Sequence, residues 1–193
     1  SVITLIDKYA FYNMTSLESI NTYGSSNVEE NILPTTITTI NEYAFANDVV
    51  LPNITLPQAL NSLGRSAFEN DYGLQSVHFT GRNLTTIDER TFYNDYSLVK
   101  MTYAKDGSII GENESVIYIP DTITTINNYA FYNAKSATKL VVPTSVVTMG
   151  YAVFGGMTTL QELTIPFIGS HRMATLEAGT TNTTTFGYIF GYN

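Results

Sequence analysis

The sequence of 193 residues predicts a strand-rich solenoid, in which short repeats stack with one strand and one short helical turn each. An apolar pattern recurs with a base period of 23 residues, and phenylalanine marks its register. The chain is also rich in Thr, Val, Ile and Tyr, which suit a half-buried pleated surface. The register phenylalanines are Phe11, Phe45, Phe68, Phe92, Phe131 and Phe154.

Further apolar columns keep a fixed distance from each phenylalanine. Around Phe92 they are Ile87, Leu98 and Met101, and the unit reads P-x-x-I-T-x-I-x-x-x-A-F-x-N-x-x-x-L-x-x-I-x-I-P. One repeat cannot bury its Phe and Leu alone, so stacked neighbours must form a continuous core.

The end of each repeat predicts a strand. Val77 and Phe79 should face inward while Ser76 and His78 face outward, because side chains alternate across a strand. A proline, which lacks an N–H group, follows several of these segments and should end the pairing. The prolines concerned are Pro57, Pro143 and Pro166.

Two columns predict a single helical turn around each phenylalanine. Four positions before it stand residues typical of a helix N-cap, namely Asp7, Asn41, Gly64, Asp88, Asn127 and Gly150. Two positions after it stand residues that adopt left-handed backbone geometry at low cost, namely Asn13, Asn47, Asn70, Asn94, Asn133 and Gly156. The turn should begin at the first column and end at the second.

Composition excludes several classes of protein. The net charge is −8 and the pI is about 4.6, so the chain supplies no basic face for a nucleic-acid partner. Without cysteine it has no disulfide, thiolate zinc site, iron–sulfur cluster or cysteine nucleophile. No apolar run approaches the ~18 residues of a membrane-spanning helix, so we expect no membrane insertion of this segment.

The repeats resemble the BspA-like leucine-rich repeat family. The resemblance rests on residues 34–45, 120–131 and 143–154, the second of which reads PDTITTINNYAF. It implies a right-handed leucine-rich repeat solenoid, an α/β horseshoe-like fold with a strand-lined concave face. It also implies a secreted or cell-surface protein of mucosal bacteria or some protists that takes part in adhesion.

One column departs from the family, because many of its repeats carry Cys three positions after the phenylalanine. Here that column holds Met14, Asp48, Asp71, Asp95, Ala134 and Met157. Its three carboxylates could bind calcium, or each could accept backbone N–H bonds in the turn. Neither reading is excluded by the sequence.

We expect one leucine-rich repeat domain over residues 1–193, with about six 23-residue repeats and a partial C-terminal repeat, in a fragment of a longer protein. Residues 22–32 and 104–119 interrupt the period and should form solvated loops or short hairpins. Such insertions often contact ligand in repeat proteins, and a neutral surface excursion is the alternative.

The outward strand positions form the candidate ligand surface. They are polar and nearly uncharged, which suits hydrogen-bonded contact with a protein or glycan and equally suits solubility alone. The candidate residues are Asn53, Thr55, Ser76, His78, Lys100, Thr102, Lys139, Val141, Glu162 and Thr164, with Asn21 and Thr80 in the same stripe. Tyrosines beside the Ala-Phe turns either recognise a partner or cover the core edge.

No hydrolase, P-loop, dinucleotide or metalloprotease motif occurs, so we predict a non-enzymatic protein without a cofactor. The predicted function is an extracellular or cell-surface adhesion scaffold that binds host or matrix protein or glycan through the concave face and the insertions. The alternative is an accessory substrate-binding domain of a secreted hydrolase. A structural spacer is a third reading.

Overall fold

A computed structural model describes residues 2–20, 31–172 and 186–192 and shows a strand-rich parallel β-solenoid. Each turn of the solenoid is called a coil below. The strands are β1 Leu5–Ile6, β2 Thr39–Ile40, β3 Asn53–Leu56, β4 Ser62–Leu63, β5 Ser76–Phe79, β6 Thr86–Ile87, β7 Lys100–Lys105, β8 Ser108–Ile110, β9 Ile117–Tyr118, β10 Thr125–Ile126, β11 Lys139–Val141, β12 Thr148–Met149 and β13 Glu162–Thr164.

The strands form one long sheet and two short ones. In the long sheet, β3, β5, β7, β9, β11 and β13 lie side by side in parallel, and β8 pairs antiparallel with β7. The short sheets are β1-β2-β4 and β6-β10-β12. The predicted repeat-end strand is therefore confirmed in the five repeats from Phe45 onward, whereas residues 17–20 of the first repeat form no strand. A two-residue strand before each phenylalanine adds a second pairing site per coil.

The core runs the length of the solenoid. Phenylalanine rings of neighbouring coils stack at centroid distances of 4.9 Å at the first pair and 6.1 Å at the last. All of these rings are buried except Phe11, whose coil has a neighbour on one side only among the described residues. The predicted phenylalanine column is confirmed.

The predicted helical turn around each phenylalanine is wrong. The amide of Phe45 donates to the carbonyl of Ala67 in the next coil, while those of Ala46 and Asp48 donate three residues back, to Tyr43 and Phe45. Alternate amides thus bond between coils and within the coil. A helix would use every amide within its own segment, so the segment forms consecutive turns instead.

Two columns of left-handed residues explain why these turns do not become a helix. Asn47 has φ of 67° and its equivalents in the other coils behave alike, as the sequence predicts. The column two positions before each phenylalanine also has positive φ, which was not expected from its residue types. Its members are Tyr9, Tyr43, Ser66, Arg90, Tyr129 and Ala152.

Both insertions add a rung to the long sheet. In 104–119, β7 and β8 form the expected short hairpin around Asp106 and Gly107, whose φ of 48° and 79° fit a type I′ turn. The same insertion then supplies β9, which pairs with β7 and β11. At the other end of the sheet, Ile32 forms a parallel bridge with Thr55.

The last coil is covered by a short 3₁₀ helix, Phe186–Phe190, which accepts the amides of Ala152 and Phe154 through Tyr188 and Ile189. It is the one helix in the described ranges, and none there is long and apolar enough to cross a membrane. Asn21, most of the 22–32 insertion and residues 173–185 lie outside the described residues.

Candidate ligand-binding groove

A groove of about 600 Å³ lies on the outward face of the long sheet, across β3, β5 and β7. The strands supply its floor, Ile32, Leu33, Thr35, Pro57 and Gln58 line one side, and Ile109 and Glu112 of the second insertion line the other. It is lined by Ile32, Leu33, Thr35, Asn53, Ile54, Thr55, Pro57, Gln58, Ser76, Val77, His78, Thr80, Lys100, Thr102, Ile109 and Glu112.

The floor brings together six of the predicted site residues because the three strands are parallel and in register. One row across the sheet is Asn53, Ser76 and Lys100, and the next is Thr55, His78 and Thr102. Their neighbours along each strand point into the core, as the alternating burial shows. The period of the sequence therefore converts positions 23 and 24 residues apart into adjacent side chains.

The remaining predicted residues lie further along the same sheet. Lys139 and Val141 are on β11, and Glu162 and Thr164 are on β13. Lys139 Nζ lies 2.9 Å from a carboxylate oxygen of Glu162, so the two charges neutralise each other. These four side chains extend the polar face and do not line the groove.

Hydrogen bonds fix the groove side chains. His78 Nδ1 and Thr102 Oγ1 are 2.7 Å apart, and Asn31 Nδ2 donates to Asn53 Oδ1 at 3.2 Å. Lys100 Nζ donates to the backbone carbonyl of Glu112 at 2.6 Å, which ties the floor to the inserted segment. The floor is therefore held in place before any ligand arrives.

The second insertion covers part of the floor that the sequence predicts as open. Thr102 is only 6% exposed. At Gly111 a Cβ atom would lie 3.4 Å from the Thr102 methyl and 2.6 Å from the Tyr118 ring, so this segment crosses directly above the strand. Thr102 contributes mainly through its bond to His78.

The predicted outward strand stripe covers the groove floor, and the 104–119 insertion, predicted either to contact ligand or to be a neutral excursion, contributes Ile109 and Glu112 to its side. Thr35 and Gln58 lie outside both the predicted stripe and the insertions. A signal for the extra rungs existed, because residues 32–34 and 117–120 both end in an aliphatic residue and proline before the next T-x-I pattern. Ile109 is 40% exposed and gives the side wall an apolar edge.

The groove is suited to contact by hydroxyl, amide and imidazole groups. Lys100 and Glu112 are its two charged residues, and no Phe or Tyr ring lines it within the described part of the chain. Over the same ranges no group of three or more acidic or histidine side chains is arranged to hold a metal ion. The lining also includes the apolar side chains Ile32, Leu33 and Ile109, so the groove combines hydrogen-bonding groups with apolar contact surface.

The aspartate column lies inside the solenoid, away from solvent. Asp48, Asp71 and Asp95 are fully buried. Oδ1 of Asp71 accepts the amide of Asp48 at 2.8 Å, and Oδ1 of Asp95 accepts the amide of Asp71 at 3.0 Å. Each carboxyl thus accepts a backbone N–H, as one sequence reading predicts, but from the preceding coil and not from its own turn.

The tyrosine rings contact each other along the side of the solenoid, with three stacked pairs and five edge-on pairs among the described residues. Tyr9 and Tyr43 are parallel at 5.3 Å, and Tyr93 and Tyr132 are nearly so at 5.3 Å. Arg90 lies 4.0 Å above the ring of Tyr93. Rings stacked in this way present their edges to solvent and cover the side of the core.

The sequence profile of the BspA type leucine rich repeat region matches this chain in six copies, over residues 21–116 and 112–173. Among curated proteins, none matches the sequence.

Three solved structures have the same fold. A leucine rich cell surface protein from Faecalibacterium prausnitzii A2-165 is 20% identical with a TM-score of 0.59, over 83% of this chain and 37% of that one. A leucine-rich repeat protein from Bacteroides ovatus is 20% identical with a TM-score of 0.55, over 83% and 40%. The leucine rich repeat protein of T. pallidum is 19% identical with a TM-score of 0.58, over 82% and 72%. This chain therefore spans less than half of the length of the first two.

Proposed function

Since this chain belongs to the BspA-type leucine-rich repeat family, we propose that it is an interaction scaffold that binds a host or matrix protein or a host glycan through the groove on its long sheet. The observation that supports this most is that Ile32, at the end of the first insertion, and Ile109 and Glu112 of the second line the same groove on the strand face. Insertions that share a face are typical of ligand contacts in repeat proteins.

We further propose an extracellular or cell-surface location. Support comes from the Faecalibacterium prausnitzii protein of the same fold, which is described as a cell surface protein. Brief protease treatment of intact source cells tests this, because a surface protein is removed while cytosolic markers survive. Full protection in intact cells and cleavage only after lysis would contradict the proposal.

The binding proposal is tested by immobilising the domain and passing matrix proteins, mucin glycans and polysaccharides over it in parallel. Binding of a matrix protein or mucin glycan is the expected result. Binding of a polysaccharide alone would instead support the alternative function, an accessory substrate-binding domain of a secreted hydrolase. If none of the three classes of ligand binds, the domain would be interpreted as a structural spacer.

Two matched variants locate the binding surface. Ser76→Tyr places a ring on the groove floor, where Ser76 pairs with Lys100 of the next strand, and should abolish binding by filling the groove. Ser136→Tyr makes the same change at an exposed position that does not line the groove and should leave binding intact. Equal affinities of the two variants would rule the groove out as the ligand site.

A further inference from the structure

Three buried carboxyl groups lie shortly before the three strands that form the groove floor. Asp48, Asp71 and Asp95 each precede the first residue of their strand by five positions, at Asn53, Ser76 and Lys100. The column and the groove therefore involve the same three coils. None of the three side chains is exposed to solvent.

Each carboxyl group uses only one of its oxygens. Oδ1 of Asp48 accepts the amide of Met14 at 2.8 Å, and Oδ1 of Asp71 and of Asp95 accept the amide of the equivalent residue in the preceding coil. Oδ2 of all three residues is buried and has no hydrogen-bond partner in the described part of the chain. An ionised carboxylate there would have one backbone donor at Oδ1 and neither solvent nor a donor at Oδ2. A neutral acid leaves only an unbonded O–H at Oδ2, which costs less than a buried charge.

No cation compensates the column. Within the described ranges, none of the three aspartates is in an ion pair. The charged neighbour of Asp95 is Glu69, which is itself paired with Arg90. Tyr72 is the other titratable group that faces this end of the column. The negative charge of Glu69 opposes ionisation of Asp95, and Asp95 in turn opposes ionisation of Asp71.

The rest of the column indicates an apolar slot. In the later coils the same position holds Ala134 and Met157, and both are buried. Burial raises the pKa of Asp48 to about 7. Burial also raises the pKa of Asp71 and Asp95 well above the ordinary value, and for Asp71 the adjacent Asp95 adds to the effect.

We propose that Asp48, Asp71 and Asp95 form a ladder of neutral carboxylic acids that holds the three groove strands together, and that loss of its protons loosens those strands. The native ladder binds protons more tightly than the unfolded chain. Its contribution to stability is therefore full below the ordinary aspartate pKa of about 3.9 and is lost as pH rises through the raised values. Any effect on ligand affinity rests on the function proposed above, whereas the ladder itself does not.

Infrared spectroscopy tests the protonation state directly. At about pH 6 the native domain should show the C=O stretch of a protonated, buried carboxylic acid, at a pH where ordinary carboxyl groups are ionised. The band should be absent from D48N/D71N/D95N and unchanged in Asp106→Asn, which removes an exposed carboxyl from the hairpin turn. A wild-type spectrum with carboxylate bands alone would overturn the proposal.

Hydrogen exchange tests the mechanical consequence. Between about pH 5 and about pH 9, with the intrinsic exchange rate corrected, amides of β3, β5 and β7 should lose about tenfold or more in protection. The later strands β11 and β13, whose coils carry Ala134 and Met157 in the column, are the internal reference and should change less. Equal loss in both groups would contradict the ladder.

Asn replacements separate the ladder from general alkaline effects. Asp71→Asn keeps an oxygen that can accept the Asp48 amide and removes one titrating group. This single substitution should therefore reduce the dependence of amide protection on pH, so the triple variant is not needed for this test. A slope identical to wild type would count against the proposal. Neither readout uses a ligand, so a failed binding screen and a failed ladder remain distinguishable.

Discussion

The ring of Phe92 stacks on the ring of Phe131 at a centroid distance of 5.4 Å, although the 104–119 insertion lies between them in the sequence. On the opposite side of the same coils, β9 separates β7 from β11. The rings before this point are within 5° of parallel, whereas Phe92 and Phe131 are inclined by 19°. An added rung on one side of the stack thus accompanies a tilt between the coils on the other.

The phenylalanine stack should be most sensitive at its centre. Phe92→Ala removes a fully buried ring with a neighbour on both faces and should cost about 3–5 kcal/mol of unfolding free energy. Phe11→Ala should cost clearly less, because Phe11 is partly exposed and stacks on Phe45 alone. Urea unfolding of both variants measures this, and equal losses would contradict a stack whose stability comes from nearest neighbours.

Each asparagine of the column two positions after the phenylalanine should stabilise the fold in two ways, through its left-handed backbone and through its side-chain hydrogen bonds. Asn94 has φ of 64°, donates to Asn70 at 2.8 Å and accepts from Asn133 at 2.8 Å. Asn94→Gly keeps the conformation and loses two hydrogen bonds, for a loss of about 1–3 kcal/mol. Asn94→Ala should lose about 1 kcal/mol more, because alanine is strained at positive φ. Thermal unfolding of the two variants compares them, and a smaller loss for alanine would refute the backbone contribution.

Two glycines of the second insertion form a matched pair for the groove wall. Gly107 and Gly111 have φ of 79° and 80°, so alanine is strained at either. At Gly107 an added Cβ meets nothing, whereas at Gly111 it meets the Tyr118 ring at 2.6 Å. Gly111→Ala should therefore be the more destabilising and should displace the segment above Thr102, seen as chemical-shift changes at Thr102 and His78. The same shifts in Gly107→Ala would contradict a steric cause.

Asp121 should anchor the hairpin to the coil that follows it. Its carboxylate accepts from Arg82 and from Lys105, both at 2.6 Å. Asp121→Asn should accelerate hydrogen exchange in β8 while the global unfolding free energy changes little, because exposed ion pairs contribute little. Glu42→Gln breaks the exposed Lys8–Glu42 pair in the first coils and should leave β8 unaffected. Similar exchange in both variants would remove this role from Asp121.

The predicted and observed sites differ where the position of a side chain depends on contacts between segments far apart in sequence. The repeat columns place Asn53, Ser76 and Lys100 side by side, because a fixed period and a parallel sheet leave one register. The cover over Thr102 and the wall at Ile109 depend on how one insertion folds back onto the sheet. The Asp106-Gly107 pair favours the hairpin, and residues 117–120 carry the aliphatic-proline ending of a rung, but neither pattern encodes the contact of the insertion with Thr102.

The residue pattern alone predicts the period, the buried phenylalanine and leucine columns, the outward polar stripe and the left-handed asparagines, because each depends on side-chain volume, alternation or local backbone cost. The tertiary structure sets where the backbone hydrogen bonds go. Alternate amides around each phenylalanine bond to the next coil, so the residue types typical of a helix N-cap serve coil-to-coil turns instead. It also decided that both insertions reach one groove and that Asp48, Asp71 and Asp95 are closed off from water. Those outcomes depend on the neighbouring coils, whose contacts come from residues tens of positions away.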